Sequence, residues 1–147
     1  MENPLIKEKL LEKIKKNETV STANTSLIDD MHNLFIGNYL FNQPLNNWDV
    51  SKVKYMQSMF WGATNFNQPL NDWDVSNVKD MEGMFRNAKN YTYSFKTWKL
   101  KSDCKIDDFL TDCNLWHLFN TVEDLPMKNG ERIDIGDIGD RKTWNVL

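Results

Sequence analysis

The sequence predicts an α/β repeat solenoid, which is a stack of strand–helix units with a parallel sheet and a cap at each end. The blocks 41–65 and 66–90 are identical at 17 of 25 positions without a gap. Each block has a short segment that alternates apolar and polar residues, as a strand does, and then apolar residues three and four apart, as on a helix. A unit of 25 residues cannot bury such a face alone, so its copies are expected to stack.

The array is predicted to include a weaker copy at 91–115 and a half copy at 26–40, so that the repeats span 26–115. Residues 1–25 are then an N-terminal capping helix and linker, and 116–147 a C-terminal cap. With 147 residues and a formal net charge of -3, the chain has the size of one domain. It contains 18 Asn, an excess that is unusual because Asn favours neither helices nor strands.

Each copy is predicted to form a strand and a helix in turn. In the first full copy, Trp48–Val50 is the strand, Ser51 caps the helix, and Gly62 ends it in a left-handed conformation. The helix would bury an apolar stripe. Its residues are Val53, Met56, Met59 and Phe60.

Stacking would place equivalent residues of successive copies side by side. An aromatic column is expected from Phe41, Phe66, Tyr91 and Trp116. The Asn side chains would then pass hydrogen bonds along the stack, or satisfy loop backbone groups, through the pairs Asn42 and Asn67 or Asn46 and Asn71.

The pattern FNQPLNxWDVSxVxxMxxMF at 41–60 and 66–85 resembles the repeat of the BspA-like leucine-rich repeat family, which also occurs in mycoplasma-type lipoproteins. The resemblance implies a leucine-rich-repeat-like, right-handed stack with a parallel sheet on one side. It also implies surface attachment or protein binding, and the family offers no known catalytic residues to carry over.

The two ends differ from the repeats and from each other. Residues 4–16 form a basic amphipathic helix, expected to cap the array, with membrane-surface, calmodulin-target and partner-docking helices as alternatives. Asn129-Gly130 predicts a hairpin turn, with Ile133, Ile135, Ile138 and Trp144 as apolar cover. From Asp103 onward the chain is acidic, so charge-complementary ends could associate head to tail.

No catalytic, cofactor or metal motif is found in the sequence. His32 is expected to be an exposed residue on the helix face, because Gln57 and Glu82 hold its position in the next copies, and His117 is expected to be structural. Gly136–Asp140 lacks the carboxylates of a calcium loop. Cys104 and Cys113 are expected to be free thiols in a reducing compartment, because a continuous helix would hold them too far apart for a disulfide. We therefore expect no enzyme, no cofactor and no metal.

Polar residues that point outward from the predicted strands and the positions before them are the candidate partner-binding surface, the sheet face. They are Asn24, Asn47, Asp49, Asp72, Asp74, Thr97 and Lys99. Asp49 and Asp74 either accept hydrogen bonds from Ser51 and Ser76 or await a basic partner or a cation.

The expected function is a non-catalytic protein–protein interaction module that binds through the sheet face or the caps. The alternative is a structural or assembly protein, such as a virion or filament component, that associates through the ends of the stack. Neither nucleic acid nor a membrane is an expected partner, since no apolar run approaches a membrane span. Without a signal peptide, the expected location is the cytoplasm or a host-cell interior, with a virion as the alternative.

Overall fold

The computed structural model describes residues 4–113 and 122–134. The elements are α1 (Pro4–Lys15), β1 (Lys99–Leu100), a 3₁₀ helix (Val122–Asp124), β2 (Met127–Lys128) and β3 (Glu131–Arg132). The α-helix α1 precedes the repeats, and the three two-residue strands form one sheet in the order β1-β2-β3. β1 and β2 pair in parallel, whereas β2 and β3 pair antiparallel.

The expected leucine-rich-repeat-like α/β solenoid is wrong. Within the described residues, α1 is the only α-helix, and no parallel sheet runs through the copies. The strands predicted at Trp48–Val50 and Trp73–Val75 do not form, and only the equivalent Lys99–Leu100 is a strand. Trp48 and Val50 are still buried on either side of exposed Asp49. The alternation of apolar and polar residues therefore indicates which side chains are buried, but it does not indicate a paired strand.

Left-handed residues explain why the predicted helices are absent. Residues 26–37, 51–62, 76–87 and 101–112, which we call the turn segments, consist largely of consecutive turns. Two positions in each segment have a φ between 53° and 72°, a conformation that interrupts a right-handed helix. The first is held by Asn33, Ser58, Gly83 and Asp108, and the second by Gly37, Gly62, Asn87 and Asp112.

Backbone hydrogen bonds join each turn segment to the next. Every second residue donates to the following copy, as in Met31 N to Tyr55 O at 2.8 Å and Met56 N to Asp80 O at 2.9 Å. Single parallel bridges link Asp30 to Tyr55, Tyr55 to Asp80, and Asp80 to Lys105. The 25-residue period of the sequence is therefore a period of contacts, even though its units are turns.

The core is a set of aromatic columns that follow the repeat. Phe41, Phe66 and Tyr91 stack with ring centroids 5.9 and 5.8 Å apart, which confirms the expected column for these three. Trp116, its predicted fourth member, lies outside the described residues. Phe35, Phe60 and Phe85 form a second column at 5.3 and 5.2 Å. These rings are buried, so apolar burial supplies the main stabilisation of the stack.

Asparagine side chains connect the copies, as the sequence predicts. Asn42 Oδ1 accepts a hydrogen bond from the backbone N–H of Asn67, and Asn67 Oδ1 accepts one from Thr92. Asn46 bonds to Asp72 and not to its own equivalent Asn71. The Asn excess therefore satisfies backbone N–H groups between copies.

The N-terminal helix is confirmed, and it packs on the first turn segment. Leu10 and Ile14 are buried in the common core, while Lys7 Nζ lies 3.3 Å from Asp30 Oδ1. Burial resists ionisation of Asp30, but hydrogen bonds from His32 and the charge of Lys7 lower its pKa overall. The helix is thus held to the repeats by apolar contacts and one ion pair.

The predicted hairpin is also confirmed. Asn129 and Gly130 both have positive φ and connect β2 to β3, as a two-residue primed turn requires. Ile133, which is one of the residues predicted to supply the apolar cover of the cap, is buried. Ile135, Ile138 and Trp144 lie outside the described residues. The hairpin continues the stack, because Met127 N donates to Trp98 O at 2.9 Å.

Candidate functional site

The partner-binding residues predicted from the sequence are all exposed, but no sheet lies beneath them except at Lys99 in β1. Asp49 Oδ1 accepts hydrogen bonds from the N–H and hydroxyl of Ser51, and Asp74 does the same with Ser76. These serines therefore close local turns and cap no helix. The same bonds lower the pKa of Asp49, with a smaller contribution from Lys52.

The other predicted residues are divided between local and inter-copy contacts. Asn24 accepts from Ser26 in the same kind of turn. Asp72 N donates to Asn46 Oδ1, and Thr97 Oγ1 donates to Asn71 O. Most of the set therefore has a structural role, and none of it lines the three grooves described below.

A different group of side chains, missed in the sequence, lines an open groove of about 410 Å³. We call it the lysine groove. Its residues come from all four turn segments and include four lysines, one carboxylate, one amide and one apolar side chain. They are Leu27, Asp29, Lys52, Lys54, Asn77, Lys79 and Lys101.

Backbone hydrogen bonds between successive copies, which we call the ladder, position the lysines of the groove. Lys54 N donates to Asp29 O at 2.7 Å, and Lys79 N donates to Lys54 O at 2.8 Å. Asn77 Nδ2 donates to Ser51 O at 2.7 Å. Lys54 and Lys79 therefore stem from adjacent backbones, about 5 Å apart as in paired strands.

The groove is strongly positive in a chain whose net charge is negative. Its four lysines face one carboxylate, Asp29. None of the lysine side chains forms a hydrogen bond or ion pair with residues in the described ranges. Like charges on adjacent strands destabilise each other, so this arrangement favours an anionic partner.

Two other grooves in the described part of the molecule differ in character. One, between α1 and the first turn segment, is mainly apolar and is lined by Leu11, Ile36 and Leu40 among others. In the other, the guanidinium of Arg86 stacks 4.8 Å over the Trp61 ring and lies 3.5 Å from Asp108. Its cation is thus already partnered, unlike those of the lysine groove.

The remaining titratable candidates are structural. His32 is exposed, as expected, and its Nδ1 lies 2.5 Å from Asp30 Oδ1. Cys104 and Cys113 are free and buried, and burial raises their pKa to about 11 and about 12. His117 and Gly136–Asp140 fall outside the described residues, and among those described no three potential metal ligands cluster together.

A repeated lysine was the available signal for the groove. Lys54 and Lys79 occupy the same position of the two clear copies, and Lys101 stands where those copies have serine. In a predicted helix these lysines would be ordinary solvated residues. Only the stacking of turns shows that they converge.

Comparison with known proteins gives a family but no described activity. Among the described residues, no helix is long and apolar enough to cross a bilayer. No curated protein and no solved structure matches the chain. The family model described as "Mycoplasma protein of unknown function, DUF285" matches residues 7–121, which include all four turn segments and the lysine groove. The chain belongs to this DUF285 family.

Proposed function

We propose that the protein is a non-catalytic protein–protein interaction module that binds its partner at the lysine groove. The observation that carries the proposal is the set of four lysines whose side chains form no hydrogen bond or ion pair in the described ranges. Charged side chains arranged in this way give complementarity and faster association with an oppositely charged surface.

The scaffold under the groove supports a binding role. Met56 and Met81 are fully buried beneath the ladder, and inter-copy hydrogen bonds fix the backbones of Lys54 and Lys79. A surface ordered before the partner arrives loses less conformational entropy on binding. Only the lysine side chains themselves would then need to be immobilised.

The second candidate, assembly through the ends of the stack, has less support. The Lys7–Asp30 contact and buried Leu10 hold α1 against the first turn segment. A neighbouring molecule at that end would therefore meet α1 and not an open row of backbone groups. Light scattering over a concentration series tests assembly, which a growing particle mass would support.

Kinship with the BspA-like repeat proteins is part of the proposal, and it rests on the repeated pattern at 41–60 and 66–85. We also propose a reducing compartment such as the interior of a cell. The two free, buried thiols of Cys104 and Cys113 are compatible with that setting.

The proposal is tested by affinity capture from the native host with Lys54→Glu/Lys79→Glu as bait. Lys89→Glu/Lys96→Glu is the matched control, because it makes the same charge change at exposed lysines that do not line the groove. We expect the groove variant to lose partners that the wild type and the control retain. An identical set of captured proteins for all three baits would contradict the proposal.

A further variant tests the exposed acidic residues. Reversing Asp49, Asp72 and Asp74 to Lys removes the carboxylates of the set predicted from the sequence. Loss of the captured partner would extend the binding surface to them. Because Asp49 and Asp74 close turns, the variant also needs a check that its circular dichroism spectrum is unchanged.

A further inference from the structure

We infer that the partner presents an acidic polypeptide segment whose carboxylates bind between Lys54 and Lys79, an inference that rests on the proposed function of the groove. Three observations carry it. They are the residues that the two clear copies share, the absence of a bonding partner for Lys54 and Lys79 within the described ranges, and the types of residue that line the groove.

The comparison between copies separates structural from functional residues. Of the 17 positions that are identical in 41–65 and 66–90, nine are apolar and buried, one is proline and seven are polar. Six of the polar positions have side chains with hydrogen bonds within or between copies. They are held by Asn42/Asn67, Gln43/Gln68, Asn46/Asn71, Asp49/Asp74, Ser51/Ser76 and Asn65/Asn90.

The seventh polar position is the lysine pair Lys54 and Lys79. Both side chains are exposed, and neither has a bonding partner in the ranges 4–113 and 122–134. The fold therefore gives no reason for lysine there, whereas it gives one for each of the other six. A ligand with negative charge supplies that reason, because it would neutralise two ammonium groups one ladder step apart.

Groove composition favours a polypeptide over a nucleic acid. All of its cations are lysines, and it contains no guanidinium for bidentate phosphate recognition. The carboxylate of Asp29 lies in it, and that of Asp49 lies within the field of Lys52. A polyphosphate with a charge on every residue would therefore meet more repulsion than a peptide whose acidic side chains alternate with apolar ones. Leu27, 53% exposed, comes from the half copy 26–40 and offers an apolar contact in the groove, which suits a side chain of a peptide.

The test is fluorescence anisotropy with a labelled peptide of alternating glutamate and leucine. The variant Lys54→Gln/Lys79→Gln removes the two charges while keeping polar side chains, and Lys89→Gln/Lys96→Gln is the matched control. We expect about a tenfold loss of affinity for the first variant and none for the second, since each of the two partly exposed ion pairs contributes roughly threefold. Raising the salt concentration should weaken wild-type binding.

Competition distinguishes the other anions. Single-stranded RNA and vesicles rich in anionic lipid are added at matched charge, and neither is expected to displace the peptide. Displacement by either one, or equal peptide affinity in the wild type and the groove variant, would overturn the inference. If the peptide does not bind but host proteins are still captured in a Lys54- and Lys79-dependent way, the acidic-segment inference fails while the proposed function stands.

Discussion

The indole N–H of Trp73 donates a hydrogen bond of 2.9 Å to the carbonyl oxygen of Leu45, which lies 28 residues earlier in the chain. Trp48 makes the same bond to Val20 and Trp98 to Leu70. Each tryptophan therefore fills the core and also donates a hydrogen bond to a backbone carbonyl 28 residues earlier in the chain. Because the same side chain packs in the core and makes this hydrogen bond, we expect the stability of the protein to be sensitive to substitution at this position.

Replacing Trp73 by Phe should lower the free energy of unfolding by about 2–3 kcal/mol. The change leaves a cavity and removes one of the two donors to Leu45 O, which also accepts from the Trp48 N–H, and each effect alone costs about 1 kcal/mol or more. Urea unfolding followed by circular dichroism gives the value. Trp61→Phe is the control, because this indole is 38% exposed, and a loss above about 1 kcal/mol there would contradict the account.

Tyr91→Phe should stabilise the protein by about 1 kcal/mol. The Tyr91 hydroxyl is buried without a hydrogen-bond partner in the described part of the chain, and burial raises its pKa well above the usual range. Removing an unsatisfied buried group recovers its desolvation cost. Phe41 and Phe66 already hold the equivalent positions. The reverse change, Phe66→Tyr, should destabilise, and equal unfolding midpoints for both variants would refute the explanation.

Gly83→Ala should destabilise by about 1–2 kcal/mol, because an L-residue is strained at φ 61°. An added Cβ would lie 3.5 Å from the Trp61 ring, an ordinary contact, so the cost is conformational and not steric. Ser58 holds the same position one copy earlier at φ 53°, and Ser58→Gly should therefore not destabilise. A stability loss in that variant, measured by thermal unfolding, would argue against strain as the cause.

The contact between α1 and the repeats should weaken in acid. The pKa of Asp30 is lowered in the folded state, so its contribution is present above the ordinary carboxyl pKa near 4 and is lost as the pH falls through the folded value. Wild type should exceed Asp30→Asn in stability by up to about 1 kcal/mol at neutral pH. The difference should vanish near pH 2, and a difference that persists there would exclude this ionisation as its source.

Cys104 and Cys113 should react slowly with a thiol reagent at pH 8 while the protein is folded. Burial keeps both thiols protonated, with pKa values of about 11 and about 12, and only the thiolate is reactive. In denaturant both should react fast. One rapid equivalent in the native protein would show that a cysteine is accessible.

The sequence was sufficient for the repeat, the buried residues and the asparagine contacts, because each depends on one side chain recurring every 25 residues. It was misleading about helices. Val53, Met56 and Met59 recur every three residues, a spacing that consecutive turns share with a helix. One position of the repeat holds only residues that are common in turns. Comparison of this position across the copies indicates that the helix is interrupted there. Its residues are Asn33, Ser58, Gly83 and Asp108.

The lysine groove was not predictable by the same reasoning. Lysines in one copy are separated by 25 residues from those in the next, and their convergence depends on which backbone groups pair between turn segments. The predicted sheet instead placed the partner-binding surface at residues that include Asp49 and Asp74. Once the ladder is known, the repeated Lys54 and Lys79 are the residues that local structure leaves unexplained.

The hydrogen bonds between turn segments follow the same pattern at each junction: alternate residues donate to the segment that follows, and one residue, such as Lys54 or Lys79, donates back to the segment before. Any internal copy thus presents one set of donors and acceptors to its predecessor and the complementary set to its successor. Tandem duplication or loss of one 25-residue block would leave both junctions chemically intact. The architecture can therefore change length by unequal recombination, and each added block of the 41–65 type would add two lysines to the groove, equivalent to Lys52 and Lys54.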